Sequence, residues 1–562
     1  MHRPTAAAAA LLSLALSATT QTASACGGFF CNAAQPVNQA AERIIFTHDA
    51  SGTVTAVIQI QYAGPANRFG WVLPVAGSPV VNVSSNLAFQ RLQAATNPRY
   101  LLTTRVEGSC RDDGLRFGAG SRADAGASSS DAGRPPSVTV VDSGAVGPYD
   151  YVVITIDPAA LPLSSVAVDW LTENGFFIDE AGAALLEPYL EGGMNLLAFR
   201  LTSGNDVGSI RPVTITFGPG LASIPIRPTA VAAVADMGVM VWVLGEERAV
   251  PVNYMSLELN DALINWLNPS STYNDVVNAA ADEAGGQGFV TEMAGTSAPL
   301  VETIYGSFER DAWARVQSTP WTHREGELLS TVLGQFGGFD GTRDALAATL
   351  PLPVDVDLET LLACVSCYYP YDDMDIDGFE PSAFIAAMNR LAIEPMARAR
   401  AMFEGQPYVT RLYTTMSAAE MTRDPAFDFN GNLGDVSNVH NAERVIECSP
   451  SISTAEAPWR VALPSGETVR GRGTAWPFTA GTGGMPANAR ILRIGNEGEG
   501  AVIEDNGAVI AAALVDHNVT VPVPSVPTGG GSCSVGTRGS AGPLLAMLAF
   551  ASLGFARRRR RA

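Results

Sequence analysis

The stretch Thr53-Val-Thr-Ala-Val-Ile-Gln-Ile-Gln-Tyr62 alternates between apolar and polar side chains over most of its length. Its apolar members take every second position, starting at Val54, while threonines and glutamines fill most of the positions between them. Because successive side chains of a β-strand point to opposite faces, this period of two predicts a strand with one buried face and one exposed face. We therefore expect a β-rich front of the chain.

Similar strand-like runs lie on both sides of this stretch and return near the end of the chain, separated by loops rich in Gly and Pro. A proline closes the run that ends at Val75, which suits a sheet edge or a strand end. The runs are Glu42–Phe46, Phe69–Val75, Tyr151–Ile156, Leu196–Leu201, Val213–Phe217, Val239–Leu244, Trp459–Leu463 and Ala501–Glu504.

The middle of the chain shows helical spacing of its apolar residues, and we expect a helical region to begin near Ser256. Thr272-Tyr-Asn-Asp275 is a capping-box pattern that predicts a helix start, and Gly285-Gly286 predicts the end of that helix. Further helices are predicted at Glu327–Phe336, Leu358–Cys364 and Ser382–Phe403, the last interrupted by Pro395. The predicted fold class is α+β, with a β-rich N-terminal part, a helical middle and a β-rich close.

The first residues are typical of a secretory signal peptide, which we predict over residues 1–25. A weakly basic start precedes the apolar run Ala6–Leu16, and Ala23-Ser24-Ala25 is an A-x-A cleavage site before Cys26. Lipidation at Cys26 is the alternative, but the bulky aliphatic residue expected three positions upstream is missing.

The last residues are predicted to be a sorting signal with a membrane helix at 541–556. This run carries no charge, and Arg557–Arg561 follow it directly. Because guanidinium groups cross a bilayer only at a high free-energy cost, the arginines should stay cytoplasmic while everything upstream of Cys533 lies on the other side. At about 1.5 Å per residue the run is slightly short for a permanent span. An ordinary single-span anchor is the alternative.

Small residues around Cys533, an apolar helix and an arginine cluster together resemble the MYXO-CTERM tail of myxobacterial surface proteins. Such tails often have a denser Cys/Gly cluster than Ser532-Cys533-Ser534. The resemblance implies surface display, a membrane contact through the tail, and a sorting or processing protease, with Cys533 as the site of processing or lipidation. A Pro/Gly stalk at residues 521–532 leads into this tail at residues 533–562.

The formal net charge of the whole chain is −21. Residues 1–25 and 533–562 contain seven arginines and no acidic residue, so the body between them carries a formal charge of −28. A body this acidic repels phosphate groups, which argues against nucleic acid as a partner and favours cations.

Seven cysteines are present, and setting Cys533 aside leaves six in a chain that is predicted to leave the cytosol. Sequence proximity favours the pairs Cys26–Cys31 and Cys364–Cys367, which leaves Cys110 and Cys448 to pair over a long range. Six cysteines allow fifteen connectivities, so other pairings stay open. Zinc binding by Cys364 and Cys367 would need a second close pair of ligands, and none lies nearby in the sequence.

A set of blocks is spread over residues 26–450, namely Cys26–Cys31, Ala41–Phe46, Phe69–Val75, Asn278–Glu292, Thr410–Ser417, Met421–Phe429 and Asp435–His440. In these blocks the chain resembles the bacterial family called domain of unknown function 2330. The resemblance implies a secreted envelope protein with one family domain over 26–450, and it implies no particular activity. Residues 451–520 are then a β-rich C-terminal part of the body. Residues 111–137 are rich in Gly, Ala, Ser and Asp and are predicted to be a disordered insertion.

Signatures of known hydrolases are absent from the sequence, which contains no G-x-S-x-G, H-E-x-x-H or G-x-x-x-x-G-K-[ST] motif. The segment His323-Arg-Glu-Gly-Glu327 lacks the second histidine of a metalloprotease. His440 is the most interesting histidine, because it ends a family-like block and several charged residues lie in that block or its neighbours. These residues are Arg411, Asp424, Asp428 and Asp435. An Arg–carboxylate network that fixes loops is the simpler interpretation of this group.

Asp373-Met-Asp375-Ile-Asp377-Gly378 has carboxylates at positions 1, 3 and 5 and a glycine at position 6, as in a calcium-binding loop. The twelfth position, which should be a bidentate glutamate, is Phe384, and Glu380 is out of register. We predict at most a weak, millimolar calcium site at Asp373, Asp375 and Asp377, with a solvated acidic turn as the alternative.

We therefore expect an exported envelope or cell-surface protein with a non-catalytic binding or structural role, displayed by its C-terminal tail. No cofactor is expected apart from the weak calcium site. The alternative is an envelope hydrolase of an unrecognised type that uses Arg411, His440 and a nearby aspartate. Convergence of these side chains in one cleft would favour the hydrolase.

Overall fold

The computed structural model describes residues 39–49, 51–60, 69–111, 138–175, 180–202, 209–231, 233–370, 375–481 and 484–521. Several predicted features lie outside these ranges. They are the signal peptide, the Cys26–Cys31 pair, the insertion beyond Arg111, Asp373, the stalk beyond Val521, Cys533, the 541–556 helix and Arg557–Arg561.

The strands are β1 Gln39–His48, β2 Thr53–Gln59, β3 Gly70–Val75, β4 Val80–Val83, β5 Arg99–Glu107, β6 Val138–Val146, β7 Tyr149–Ile156, β8 Asn195–Leu201, β9 Val213–Pro219, β10 Ala222–Ser223, β11 Ala233–Gly245, β12 Ala249–Pro251, β13 Met255–Leu259, β14 Gly288–Thr296, β15 Tyr408–Met416, β16 Ala426–Phe429, β17 Val439–Glu447, β18 Pro458–Ala462, β19 Thr468–Arg472, β20 Asn488–Arg493 and β21 Ala501–Asp505.

The helices are α1 Asn86–Thr96, α2 Leu163–Glu173, α3 Glu180–Glu191, α4 Tyr273–Glu283, α5 Ala298–Ile304, α6 Ser307–Ser318, α7 Glu325–Phe336, α8 Thr342–Thr349, α9 Leu358–Ala363, α10 Val365–Tyr368, α11 Pro381–Met388, α12 Glu394–Glu404 and α13 Gly507–Asn518. The mixed α+β class predicted from the sequence is confirmed. Among the described residues, no helix combines the length and the apolar character needed to cross a bilayer.

The central feature is a ten-stranded sheet with the order β21-β20-β13-β14-β15-β11-β1-β2-β9-β4. Its middle strand β1 pairs in parallel with β11 and antiparallel with β2. Strands from the front, the middle and the end of the chain thus share one sheet. Smaller sheets have the orders β3-β8-β7-β6, β19-β18-β17-β5 and β10-β16-β12.

Both faces of the central sheet are covered, and this corrects one prediction. The alternation in β2 is confirmed, because Val54, Ala56 and Ile58 belong to a core cluster shared with the β3-β8-β7-β6 sheet. The opposite face of β2 is also buried at its centre, where Val57 packs in the cluster formed with the helical middle. The prediction that one face of β2 is exposed is wrong, because helices cover the face that alternation alone assigns to solvent.

Two predictions about the middle of the chain also need correction. Ser256 lies in strand β13, which pairs with β14 and β20, so the helical region begins at Tyr273 instead. Thr272 is the N-cap residue of α4, but its side chain makes no capping bond. Its hydroxyl accepts the backbone N–H of Asn265 at 2.8 Å, so tertiary structure overrides the local capping pattern.

The interruption predicted at Pro395 coincides with a π-helical turn, Asn389–Ile393, between α11 and α12. Pro395 follows the π-helical turn directly, as the second residue of α12, where the helix loses the backbone N–H that proline lacks. Pro74 lies in β3, at the edge of its sheet, as the sequence predicts.

Two disulfides join cysteines in the arrangement that sequence proximity favours. Cys364 bonds to Cys367 within a short loop, and Cys110 bonds to Cys448 across a separation of 338 residues. The long-range bond follows directly after the parallel β5–β17 pairing, which ends at Glu107 opposite Glu447. Gly108 has φ +84°, and a Cβ there would lie 2.4 Å from the carbonyl oxygen of Cys448, so only glycine fits this approach.

Candidate functional site

A cavity of about 700 Å³ lies where β1, β11 and β15 meet α1 and α4, and we call it the polar pocket. Charged, amide and phenolic side chains dominate its lining. They are Glu42, Arg43, Gln93, Asn97, Tyr100, Asp236, Tyr273, Asn274, Asn278, Glu292, Arg411 and Tyr413. Gly238 also lines the pocket, and a Cβ at this position would lie 3.2 Å from the hydroxyl of Tyr413.

A buried ion pair forms part of the pocket wall. Arg411 of β15 donates from Nε to Glu292 Oε2 at 2.5 Å, and both side chains are almost fully buried, with 2% and 1% exposed. Glu292 lies at an irregularity of the β14–β15 ladder. Nη1 of Arg411 also donates to Thr96 Oγ1 at 3.0 Å and to the Gln93 carbonyl at 3.3 Å. Contacts with both the central sheet and α1 thus fix the position of the Arg411 side chain.

Tyr273, the first residue of α4, donates its hydroxyl hydrogen bond to Glu292 Oε1. Burial, followed by the nearby Glu292 charge, holds the pKa of Tyr273 well above its usual value. Burial likewise raises the pKa of Tyr100 and of Tyr413. These phenols therefore stay protonated at neutral pH and act as hydrogen-bond donors.

Arg43 supplies a second guanidinium to the pocket and donates to Gln59 Oε1 at 3.0 Å. Burial, and then the proximity of Arg411, lowers the pKa of Arg43. Across the pocket, Asn278 Oδ1 is buried and accepts no hydrogen bond from any described residue. Because buried polar atoms are nearly always paired, this oxygen marks a position where a donor is missing.

A second cavity of about 310 Å³ shares Pro98, Tyr100, Tyr273 and Glu292 with the polar pocket, and we call it the acidic pocket. Its other polar lining residues are Arg248, Ser256, Glu258, Asp261, Thr291 and His440.

Asp261 is the most perturbed carboxyl of the acidic pocket. Burial, with a smaller contribution from Glu467, raises the pKa of Asp261 to about 6. Glu258, by contrast, forms an ion pair with Arg490 at 2.7 Å. Perturbed carboxyl groups in a cleft are typical of functional sites.

The group predicted around His440 is distributed over separate parts of the structure. Arg411 lines the polar pocket, whereas His440 lines the acidic pocket and stacks on Tyr100 with ring centroids 4.6 Å apart. Burial lowers the pKa of His440. The aspartates bond elsewhere: Asp424 to Tyr189, Asp435 to Tyr408 and Asp428 to the backbone N–H of Phe429. The described residues do not assemble the Arg411/His440/Asp arrangement.

The calcium-loop prediction is only partly within the described residues. Asp375 Oδ1 lies 2.5 Å from His323 Nδ1, within hydrogen-bond distance. This contact raises the pKa of His323. Phe384, at the position of the missing glutamate, is fully buried in the helical core next to Phe379. No group of three potential metal-ligating side chains occurs in the part of the chain that the structure describes.

Sequence reasoning does not single out Glu292, Tyr273 or Asp261. A signal exists for some pocket residues, because three of the blocks on which the predicted family resemblance rests meet at the polar pocket. Ala41–Phe46 supplies Glu42 and Arg43, Asn278–Glu292 supplies its two end residues, and Thr410–Ser417 supplies Arg411 and Tyr413. Asp261 has no such signal, because its pKa depends on burial in the folded chain.

The comparisons with curated proteins and with solved structures yield no match. A family's sequence model matches residues 20–304, a range that includes Arg43, Asn278 and Glu292 and ends before Arg411. The chain belongs to this family, which is described as "Uncharacterized protein conserved in bacteria (DUF2330)".

Proposed function

We propose that this chain is an exported envelope or cell-surface protein that binds a small polar molecule in the polar pocket without chemically altering it. The observation that carries the proposal is a single cavity lined by charged, amide and phenolic side chains from β1, α1, α4, β11 and β15. A volume of about 700 Å³ is within the range of small-molecule sites.

The lining favours a neutral molecule with several hydroxyl groups, such as a sugar. Arg43 and the protonated Tyr413 offer donors, and Asn274 supplies an exposed amide group. Tyr100 and Tyr273 add aromatic surface on which a sugar ring can pack. Charges of both signs line the pocket, including Arg43 and Asp236, so a strongly charged ligand of either sign would meet repulsion.

Binding is favoured over catalysis because the strongest charges of the pocket are already engaged. The charges of Arg411 and Glu292 neutralise each other, and the Tyr273 hydroxyl donates a hydrogen bond to the Glu292 carboxylate. A general base or an activated nucleophile needs a free basic group within reach of the substrate. The separation of Arg411 from His440 argues in the same direction.

Export and surface display belong to the same proposal. The disulfides at Cys110–Cys448 and Cys364–Cys367 favour an oxidising compartment. The signal-peptide pattern at 1–25 and the MYXO-CTERM-like tail at 533–562 are consistent with this location. In this proposal a sorting or processing protease acts on the tail, and the tail contacts the membrane.

The experiment is calorimetric titration of the full-length chain with glucose, galactose and N-acetylglucosamine. We expect at least one of them to bind. The variant Asn278→Leu should weaken that binding by about tenfold or more, because it replaces a polar side chain of the pocket lining by a larger apolar one with similar branching. The matched control is Asn441→Leu, which makes the same change at an exposed position of β17 outside the pocket.

Two results would contradict the proposal. One is the absence of binding to any of the three sugars. The other is binding that Asn278→Leu and Asn441→Leu affect equally. A third variant, Gly238→Leu, would fill the pocket floor beside Tyr413 and should abolish binding if the sugar enters the polar pocket.

A further inference from the structure

A third cavity, of about 270 Å³, lies on the other face of the central sheet, and we call it the apolar pocket. From Arg43 onward the side chains of β1 differ in the side they face: Arg43 lines the polar pocket, whereas Ile44 and Phe46 line the apolar pocket. The remaining apolar lining comes from neighbouring strands and loops, namely Ala56, Ile58, Leu73, Val75, Met194, Ile215, Phe217, Leu221 and Ile224.

The apolar pocket opens to solvent at one end. Leu221 at its mouth is 49% exposed, and it follows Gly218 and Pro219, the exposed last residues of β9, and the exposed Gly220. The volume equals that of about nine water molecules at liquid density. Water gains few hydrogen bonds from such a lining, and side chains that face empty space lose dispersion contacts. An apolar ligand would restore those contacts.

Asp424 is the one charged side chain among the described residues that line this pocket. Its two carboxylate oxygens accept a hydrogen bond from the Tyr189 hydroxyl at 2.8 and 2.7 Å. Oδ1 also accepts one from the backbone N–H of Arg227 at 3.2 Å. Burial raises the pKa of Asp424. An ionised carboxylate has about four acceptor sites, so these contacts leave room for another donor.

We propose that the apolar pocket binds a short aliphatic molecule with a hydrogen-bond-donating head, an amine or an alcohol, whose head contacts Asp424. The chain of the ligand packs between Ile44, Phe46 and Phe217. A carboxylate head is disfavoured, because its charge would face that of Asp424, which the nearby Arg227 charge offsets only in part. This site is independent of the proposed sugar site, which lies on the opposite face of the sheet.

The test compares three probes of equal chain length, 1-octylamine, 1-octanol and octanoate, in calorimetric titrations of the full-length chain at neutral pH. The amine is then a cation, like a lysine side chain. We expect octylamine and octanol each to bind with a stoichiometry of one molecule per protein chain. The affinity of octanoate should be at least about tenfold weaker than that of octylamine.

Two variants locate the binding. Ala56→Leu places extra volume in the pocket and should abolish binding of all three probes. Asp424→Asn keeps an acceptor but removes the charge, so it should weaken octylamine about tenfold and leave octanol nearly unchanged. Asp169→Asn, an exposed position in α2, is the matched control and should leave all affinities unchanged.

The proposal is overturned if neither octylamine nor octanol binds, or if octanoate binds as tightly as octylamine. It is also overturned if Asp424→Asn leaves the preference for the amine intact. That last result does not depend on Ala56→Leu folding correctly, and none of these results bears on sugar binding by the polar pocket.

Discussion

At the scale of single residues, Glu292 is the side chain whose loss should matter most. Replacing it by glutamine keeps the shape but leaves the Arg411 charge buried without a counter-charge. Breaking a buried ion pair from one side costs about 3–5 kcal/mol, so we expect Glu292→Gln to lower the free energy of unfolding in urea by that amount.

The matched control is Glu327→Gln, because Glu327 forms a solvent-exposed pair with Arg324. We expect this change to leave the free energy of unfolding nearly unaltered. The double variant Glu292→Leu with Arg411→Met should cost less than Glu292→Gln alone, because it removes both charges together. Equal losses for Glu292→Gln and Glu327→Gln would contradict this account of the pair.

Asp261 gives a pH-dependent prediction. Its folded-state pKa is raised from 3.8 to about 6, so the folded protein holds this proton more tightly than the unfolded chain does. The stabilising contribution of protonated Asp261 is complete below pH 3.8 and is lost as the pH rises through about 6. Asn imitates the neutral form, so Asp261→Asn should stabilise the protein by about 1–3 kcal/mol near pH 8 and by little near pH 4.

Urea unfolding of wild type and Asp261→Asn at the two pH values measures this difference. The control Asp169→Asn changes an exposed carboxyl, and its effect should be small at both values. A gain from Asp261→Asn that is the same near pH 4 and near pH 8 would show that ionisation of Asp261 is not its cause.

At the scale of elements, the two disulfides should differ in their contribution to stability. Cys110 and Cys448 are 338 residues apart, whereas Cys364 and Cys367 are three residues apart. In the chain-entropy model the long loop contributes about 6 kcal/mol and the short loop about 1–2 kcal/mol. We expect the double variant Cys110→Ala/Cys448→Ala to lose correspondingly more stability than Cys364→Ala/Cys367→Ala.

Denaturant unfolding of both double variants decides this, and each serves as the control for the other. Non-reducing peptide mapping of the full-length chain checks the bonds themselves. A Cys26–Cys448 peptide, or equal losses of stability for the two double variants, would contradict the prediction.

Local pattern predicts some of the elements but misses others, such as helices α2 and α3 in the front of the chain and α13 near its end. Alternation identifies β2, but its second buried face depends on helices that are distant in sequence. The capping pattern at Thr272 places the start of α4 correctly. The Thr272 hydroxyl, however, accepts the backbone N–H of Asn265 and does not cap the helix. Arg411 stands out in the sequence, but its partner Glu292 becomes evident only when β14 and β15 pair.

At the scale of the whole molecule, the proposed export can be tested in cells of the source bacterium with a membrane-impermeant labelling reagent. The body should be labelled in intact cells if it is on the surface, or after osmotic shock if it lies beneath an outer membrane. A cytoplasmic protein in the same cells is the control. Protection of the body under both conditions would contradict the prediction.

The tail gives the matching prediction. Cys533→Ser should change the processed mass of the protein or its release from cells, because Cys533 is the one cysteine of the 533–562 segment. Mass spectrometry of the mature protein measures this change. A variant with the same mass and the same release as wild type would remove Cys533 from the proposed processing step.

The mixed origin of the central sheet determines the order in which the protein can be built. Strand β1 can pair early with β2, but its second partner β11 is made much later, and β5 of the β19-β18-β17-β5 sheet pairs with the still more distant β17. Topologies with such distant pairings fold slowly, and strands with open edges attract other chains while they wait. We therefore expect the nascent chain to expose unpaired strand edges until β11 and β17 have been made, and to depend on chaperones during that time.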